Sequence, residues 1–267
     1  MKKFYTLKYE IAFIKTIIDD EKLCKYFLSN ILEEKIENVK ILNARLIADK
    51  INNRRQTVDI LLKIDNKIIN IELNTSYNTN VKKRNIFYLC NVATHSIRKG
   101  KNFININEIL QININFGVNK KDSDYEYILY DKKKNKEYIK LLKIKEINID
   151  YYKKKMYNNN KLTTKDKILA MLDLELNELK ILGKGDKMIE KAIKNLEKVN
   201  EDDMCVELMS EEEELRMWKN TYLLEGEMKG EKKGIKKIAK NMIEKSFSIQ
   251  DIIDTTGLTK EEIMRLN

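Results

Sequence analysis

The residues of this chain best suited to chemistry are its carboxylates, because most alternatives are missing. His95 is the only histidine, so zinc sites and nuclease types that need several histidines cannot be assembled within one chain. Serine and aspartate are abundant, which leaves a Ser-His-Asp triad formally open, but no G-x-S-x-G turn presents a serine. The 8 glycines form neither G-x-G-x-x-G nor a G-x-x-x-x-G-K phosphate loop. Catalysis would therefore rest on carboxylates holding a hard cation.

Asp59 and Glu72 are the pair whose spacing serves that end. Residues 56–64 and 67–75 read as two strands joined by Asp65-Asn66. Asp and Asn tolerate positive φ, so a tight two-residue turn is expected. The pairing then follows: Ile64 faces Lys67, Leu62 faces Ile69 and Ile60 faces Ile71, an almost wholly apolar face that buries well. On the other face Lys63, Leu61 and Asp59 oppose Ile68, Asn70 and Glu72. Directly opposed side chains have β-carbons about 5 Å apart, so the two carboxylates repel. A divalent cation removes the conflict, since Mg²⁺ takes oxygen ligands at about 2.1 Å and keeps waters for a phosphate. The period of two puts Asn74 on the same face. The alternative is that both acids lie at a wet hairpin end with no role. A one-residue slip in register would abolish the opposition.

The elements that must position this pair are read from periodicity. Residues 6–33 read as one helix, with Ile11, Ile14, Ile18 and Phe13, Ile17 at helical spacing. Residues 39–47 form a plausible strand before the hairpin. Residues 82–99 read as a helix ending in Arg98 and Lys99 before Gly100. Residues 109–116 alternate like a strand. The order is helix, three strands, helix, strand. A second hairpin is expected over 125–149, with Asp131–Lys136 as a solvated turn in preference to a DNA contact. From Lys165 onward the pattern is helical, and Glu211–Glu214 read as a solvated helical start.

Gly226, Gly230 and Gly234 recur every four residues in a Lys- and Glu-rich stretch. They fit a close helix contact and a flexible linker equally. Ser248 with Asp251 and Thr259 with Glu262 have capping-box spacing around Gly257. That is the outline of a helix-turn-helix, and equally of a plain α-hairpin. The expected division is 1–150 for the chemical domain, 151–225 for a helical extension and 226–267 for a basic, glycine-spaced segment with a helix-turn-helix-like tail.

The totals bound the partners. With 42% hydrophobic and 35% charged residues, the chain of 267 residues can build a core. A net charge of +10 and a pI near 9.2 point to an anionic partner, nucleic acid first and anionic membrane second. No apolar run reaches the roughly 18 residues needed to span a bilayer, and Met1–Lys8 lacks a signal core. Cys24, Cys90 and Cys205 form no close pair and suit small core positions in a reducing compartment, so a cytoplasmic location is expected.

Several stretches carry a family resemblance. Lys8-Tyr9-Glu10-Ile11-Ala12-Phe13 opens the chain, and Ile41-Leu42-Asn43 precedes the hairpin. Thr57-Val58-Asp59-Ile60 and Ile69-Asn70-Ile71-Glu72-Leu73-Asn74 make up the hairpin strands. Lys83-Arg84-Asn85-Ile86-Phe87-Tyr88 follows, and Glu225–Leu266 ends the chain. In this order they resemble the PD-(D/E)XK nucleases, and more closely the bacterial PD-(D/E)XK nuclease family transposases, or recombination-promoting nucleases.

The resemblance implies an α/β, restriction-endonuclease-like core followed by a hairpin and a helical C-terminal extension. It implies a Mg²⁺- or Mn²⁺-dependent DNA endonuclease of mobile genetic elements that promotes recombination or transposition. The metal would be held by Asp59 and Glu72, with Asn74 and Glu10 as catalytic helpers and Lys82, Lys83 and Arg84 on the DNA. This chain departs from the family pattern in Asn74, where Gln or Lys is usual, in Glu10 for Asp, and in Ile14 for Lys. Those departures keep a second reading open: a weakened or inactive homologue that acts by binding DNA or by forming a homodimer.

Overall fold

The computed structural model describes residues 3–42, 60–75, 80–96, 102, 104, 106–118, 122–158 and 161–266. The chain divides into two compact units, residues 1–212 and 213–267.

The first unit opens with α1 (Glu10–Phe13), a π-helical turn (Ile14–Ile18) and α2 (Glu21–Leu32). The single helix expected over residues 6–33 is thus interrupted. Asp20 leaves the helical conformation and its Oδ1 accepts the Leu23 N–H at 3.1 Å, which starts a new helix by capping. The apolar spacing runs through this break, so periodicity alone does not reveal it.

Four strands and a helix follow in the expected order: β1 (Val39–Leu42), β2 (Ile60–Ile64), β3 (Lys67–Asn74), α3 (Val81–His95) and β4 (Glu108–Asn115). The second hairpin comprises β5 (Asp124–Ile128), β6 (Tyr130–Asp131), β7 (Lys136–Glu137) and β8 (Leu142–Asn148). Among the described residues the main sheet has the order β1-β2-β3-β4-β8-β5, with β3, β4 and β8 mutually parallel. This is the mixed α/β order that the resemblance implies. α3 ends at His95, earlier than residue 99, and Arg98, Lys99 and Gly100 lie outside the described residues.

One sheet face packs on the main core. Ile60, Leu62, Ile64, Ile69, Ile71, Leu110, Ile112, Ile114 and Ile147 meet Phe13, Phe27 and Ile31 of the N-terminal helices there. Each such side chain contributes about 1.5–3 kcal/mol when fully buried. Helices α4 (Ile149–Tyr157), α5 (Thr164–Ala170), α6 (Leu176–Gly183) and α7 (Lys187–Glu201) supply Tyr152, Ile168, Leu179 and Leu196 to the same core. Asn200 on α7 receives the Tyr5 N–H on Oδ1 at 2.7 Å and donates back to the Tyr5 carbonyl at 3.1 Å, which fixes the N-terminal segment.

α8 (Asp203–Glu244) carries Glu211–Glu214 in its interior, so that acidic run does not start a helix. Gly226, Gly230 and Gly234 are helical, and a β-carbon added at any of them meets nothing within 4 Å among the described residues. α9 (Ile249–Thr256) and α10 (Lys260–Met264) begin at the Ser248 and Thr259 caps. They share a small core of Ala239, Ile252 and Ile263 with α8. Gly257 closes α9 at φ +67°, a conformation glycine adopts without strain. Of the cysteines, Cys24 is buried, Cys205 is partly buried and Cys90 is exposed, so the core reading holds for Cys24 alone.

Candidate active site

The hairpin adopts the register that the turn dictates. Ile60 pairs with Ile71, Leu61 with Asn70, Leu62 with Ile69, Lys63 with Ile68 and Ile64 with Lys67. Asp65 takes the positive φ, 44°, that a primed turn requires at its first position. With this register the second sheet face receives Ile68, Asn70, Glu72 and Asn74 from β3.

Parallel pairing extends that face across two more strands. Asn70 aligns with Gln111, Glu72 with Asn113, and Asn74 with Asn115. Gln111, Asn113 and Asn115 align in turn with Ile144, Glu146 and Asn148 on β8. Eight polar side chains therefore form three cross-strand rows, and all are buried: Glu72 is 2% exposed, Asn113 0% and Glu146 6%. The other half of the same face is apolar. Leu61, Ile68 and Ile109 form a second core there with Leu89 and Val92 of α3.

α3 matches this division. Its buried stripe begins with Val81 and Asn85 and ends with Leu89 and Val92, so its polar turn comes first and its apolar turns last. The helix follows β3 and runs back over the sheet, which brings polar to polar. Its first turn holds Lys82, Lys83 and Arg84 with no acidic residue. Cations are disfavoured at a helix N-terminus by the positive end of the dipole. Three of them there give an electropositive spot suited to phosphate.

Hydrogen bonds join the rows. Asn70 Nδ2 donates to Glu72 Oε1 at 3.0 Å, and Gln111 Nε2 donates to Asn113 Oδ1 at 2.9 Å. Asn74 Nδ2 donates to Asn115 Oδ1 at 2.9 Å, and Asn74 Oδ1 accepts from the Arg84 guanidinium. Arg84 also lies over the Tyr88 ring, 5.8 Å from its centroid. Among the described residues, Asn70 Oδ1, Gln111 Oε1, Asn113 Nδ2 and both amide atoms of Asn85 are buried with no hydrogen-bond partner. An unmet buried polar atom costs about 1–3 kcal/mol, and such atoms are concentrated in the rows and on the helix that covers them.

The expected site residues are distributed as follows. Glu72 and Asn74 lie in the rows, and Arg84 reaches them from α3. Lys82 is exposed and lies 5.8 Å over the Tyr127 ring of β5, while Lys83 is exposed on the same turn. Glu10 starts α1, and its N–H donates to Glu212 Oε2 at 2.9 Å. Asp59 lies outside the described residues, as do Thr57, Val58 and Asn43.

A family model described as PD-(D/E)XK nuclease family transposase matches residues 18–226, most of the chain. The chain belongs to this family. No curated protein and no solved structure gives a significant match. A PD-(D/E)XK nuclease family transposase acts on DNA as a nuclease or transposase, and the family generally uses divalent metals. No helix among the described residues is long and apolar enough to cross a membrane.

The residues present suit such a cation by their chemistry. The rows offer the Glu72 carboxylate and two amide oxygens that meet no donor among the described residues, Asn70 Oδ1 and Gln111 Oε1, and hard divalent cations take oxygen ligands. Among the described residues, no three His, Cys, Asp or Glu side chains cluster as metal ligands. Gln111, Asn113, Asn115, Glu146 and Asn148 were not singled out by sequence. The signal was the alternation Gln-x-Asn-x-Asn in β4, which in isolation reads as a solvated strand face.

Proposed function

We propose that this PD-(D/E)XK nuclease family transposase is a Mg²⁺- or Mn²⁺-dependent DNA endonuclease that hydrolyses phosphodiester bonds and thereby promotes recombination or transposition. The observation that carries the reading is the parallel β3–β4 register, which seats Glu72 in a buried polar row, two residues before Asn74, whose Oδ1 accepts from Arg84 in the basic first turn of α3. In this reading Asp59, the residue before Ile60, joins Glu72 in holding the cation. The bound cation supplies Lewis-acid polarisation of the phosphate.

The protein's own groups do the remaining work. Asn70 orients the Glu72 carboxylate through its Nδ2 hydrogen bond. Arg84 supplies the positive charge that a lysine at position 74 would bring, because Asn74 cannot. Asn74 then holds Arg84 and positions water. Glu10 assists the carboxylates, and Lys82 and Lys83 contact DNA phosphates, which contributes salt-dependent affinity. Incubation with supercoiled plasmid in Mg²⁺, Mn²⁺ or EDTA tests the proposal. Nicking or linearisation only with metal supports it, and intact plasmid in all three overturns it.

One observation favours a second reading, a weakened nuclease that acts by binding DNA or dimerising. Asn74 spends both ends of its amide on Asn115 and Arg84. DNA binding without cleavage in any metal, or self-association without either, marks that outcome.

A further inference from the structure

The second hairpin extends beyond the sheet that it completes. β5 and β8 pair from Asp124–Ile147 to Ile128–Lys143, and the Tyr138 N–H donates to the Leu129 carbonyl at 2.8 Å. β6 and β7 continue the ladder as Tyr130–Glu137 and Asp131–Lys136. The tip is ordered by its own bonds. Asp131 Oδ1 accepts the Lys133 and Lys134 N–H groups at 2.9 and 3.1 Å, and the Tyr130 hydroxyl donates to Asn135. None of residues 129–140 belongs to a hydrophobic core among the described residues. Tyr130 is 49% exposed and Tyr138 75% exposed, beside exposed Leu129 and Ile139.

A turn that merely stays soluble has no use for exposed aromatic rings. Lys132, Lys133, Lys134, Lys136 and Lys140, all exposed, flank these rings in the sequence, with Asp131 and Glu137 as the opposing charges. Rings that stack and lysines that track phosphates are the two parts of a single-strand binding surface. The root of the hairpin returns to the site: Tyr125 pairs with Glu146, which lies in the row of Glu72, and Tyr127 lies under Lys82.

We propose that the hairpin tip, residues 129–140, is a DNA-binding arm whose tyrosines stack on unpaired bases and whose lysines hold the flanking phosphates. The arm gives the nuclease a preference for DNA with single-stranded character next to the scissile bond. This inference rests on the nuclease reading above.

The test uses the full-length protein in EDTA, so that nothing is cut. Anisotropy is read on a fluorescein-labelled 30-nucleotide single strand and on its duplex at several salt concentrations. Tyr130→Ala with Tyr138→Ala is expected to weaken single-strand binding about tenfold or more, with a much smaller effect on the duplex. Tyr130→Phe with Tyr138→Phe keeps the rings and should bind as the parent does. Lys132→Gln, Lys133→Gln and Lys134→Gln together should lower the single-strand salt slope by about 2, at about 0.7 per lost contact. Unchanged binding in the alanine and glutamine variants overturns the arm and leaves the nuclease reading intact. Loss confined to phosphatidylserine vesicles, with DNA binding unaffected, also overturns it in favour of a membrane contact. Absence of DNA binding by the parent protein overturns both.

Discussion

Arg84 on α3 donates to Asn74 Oδ1 on β3, while Asn74 Nδ2 donates to Asn115 Oδ1 on β4. One amide thus ties the basic turn of a helix to two parallel strands and sets where the guanidinium can act. Arg84→Gln should slow metal-dependent plasmid nicking about a hundredfold, the scale expected when one charge-stabilising donor is lost. Arg84→Lys should recover part of that loss, because it restores charge without the planar fork. Nicking at the parental rate by Arg84→Gln would remove this residue from the site. Asn74→Ala should also slow cleavage. Asn74→Gln should retain it but cost about 1–3 kcal/mol of stability, since position 74 is buried and an added methylene overpacks it.

The carboxylates should be separable from folding. Asp59→Asn and Glu72→Gln should each abolish cleavage and remove the rise in melting temperature that Mg²⁺ gives the parent. A cation at a hundred times its Kd stabilises by about 2.7 kcal/mol, enough to read in a melting curve. In EDTA both variants should melt at or above the parental temperature, because a like-charge conflict is relieved. A Mg²⁺ shift that survives in both variants would place the metal elsewhere.

The glycines of α8 offer a test with opposite signs for their two uses. Among the described residues, nothing lies within 4 Å of a β-carbon added at Gly226, Gly230 or Gly234. Alanine at each should therefore raise helix stability by up to about 1 kcal/mol, seen as higher helicity and a higher melting temperature. A fall in melting temperature at physiological concentration, with a loss of mass by sedimentation, would instead show that another backbone closes on this stripe.

Acid should weaken the first unit through Asp166. Burial opposes ionisation of this carboxyl, but the Lys155 ammonium at 2.7 Å and the Thr163 N–H and hydroxyl outweigh it. Its pKa therefore falls below the ordinary aspartate value in the folded chain. A depressed folded pKa contributes stability that is fully present above the unfolded pKa and is lost as pH falls through the folded one. Asp166→Asn should cost about 2 kcal/mol near neutrality. The gap from the parent should close below about pH 4. A gap independent of pH would mean that packing, not charge, is what Asp166 contributes.

Thiol reactivity should follow burial. Cys90 should react first with a chromogenic disulfide, and Cys205 more slowly. Cys24 should wait for unfolding, since burial pushes its pKa up to about 12. Replacing Cys90 with Ser should remove the fast phase alone.

What the sequence conveyed, and what it withheld, divide along physical lines. The β2–β3 register was legible because a two-residue turn fixes pairing and apolar alternation fixes the faces. The element order was legible for the same reason. The break at Asp20 was not, because Phe13, Ile17, Cys24, Phe27 and Ile31 keep helical spacing across it. The interior position of Glu211–Glu214 was hidden because solvated charges suit the middle of an exposed helix as well as its start. The polar rows were missed because alternation in β4 shows that Gln111, Asn113 and Asn115 share a face. It cannot show that α3 covers that face, which is decided by a contact distant in sequence.

The rows contain six amides, at Asn70, Asn74, Gln111, Asn113, Asn115 and Asn148, and two carboxylates, Glu72 and Glu146. An amide neither gains nor loses a proton in the range where proteins function. It exchanges acceptor for donor only by turning its plane over. Most of this surface is therefore indifferent to acidity and responsive to geometry. A phosphate oxygen and a cation can each find a matching atom there after half a turn of a side chain. The pH profile of any reaction at this site should consequently be simple, shaped by carboxylates and bound water alone, however many polar groups surround it.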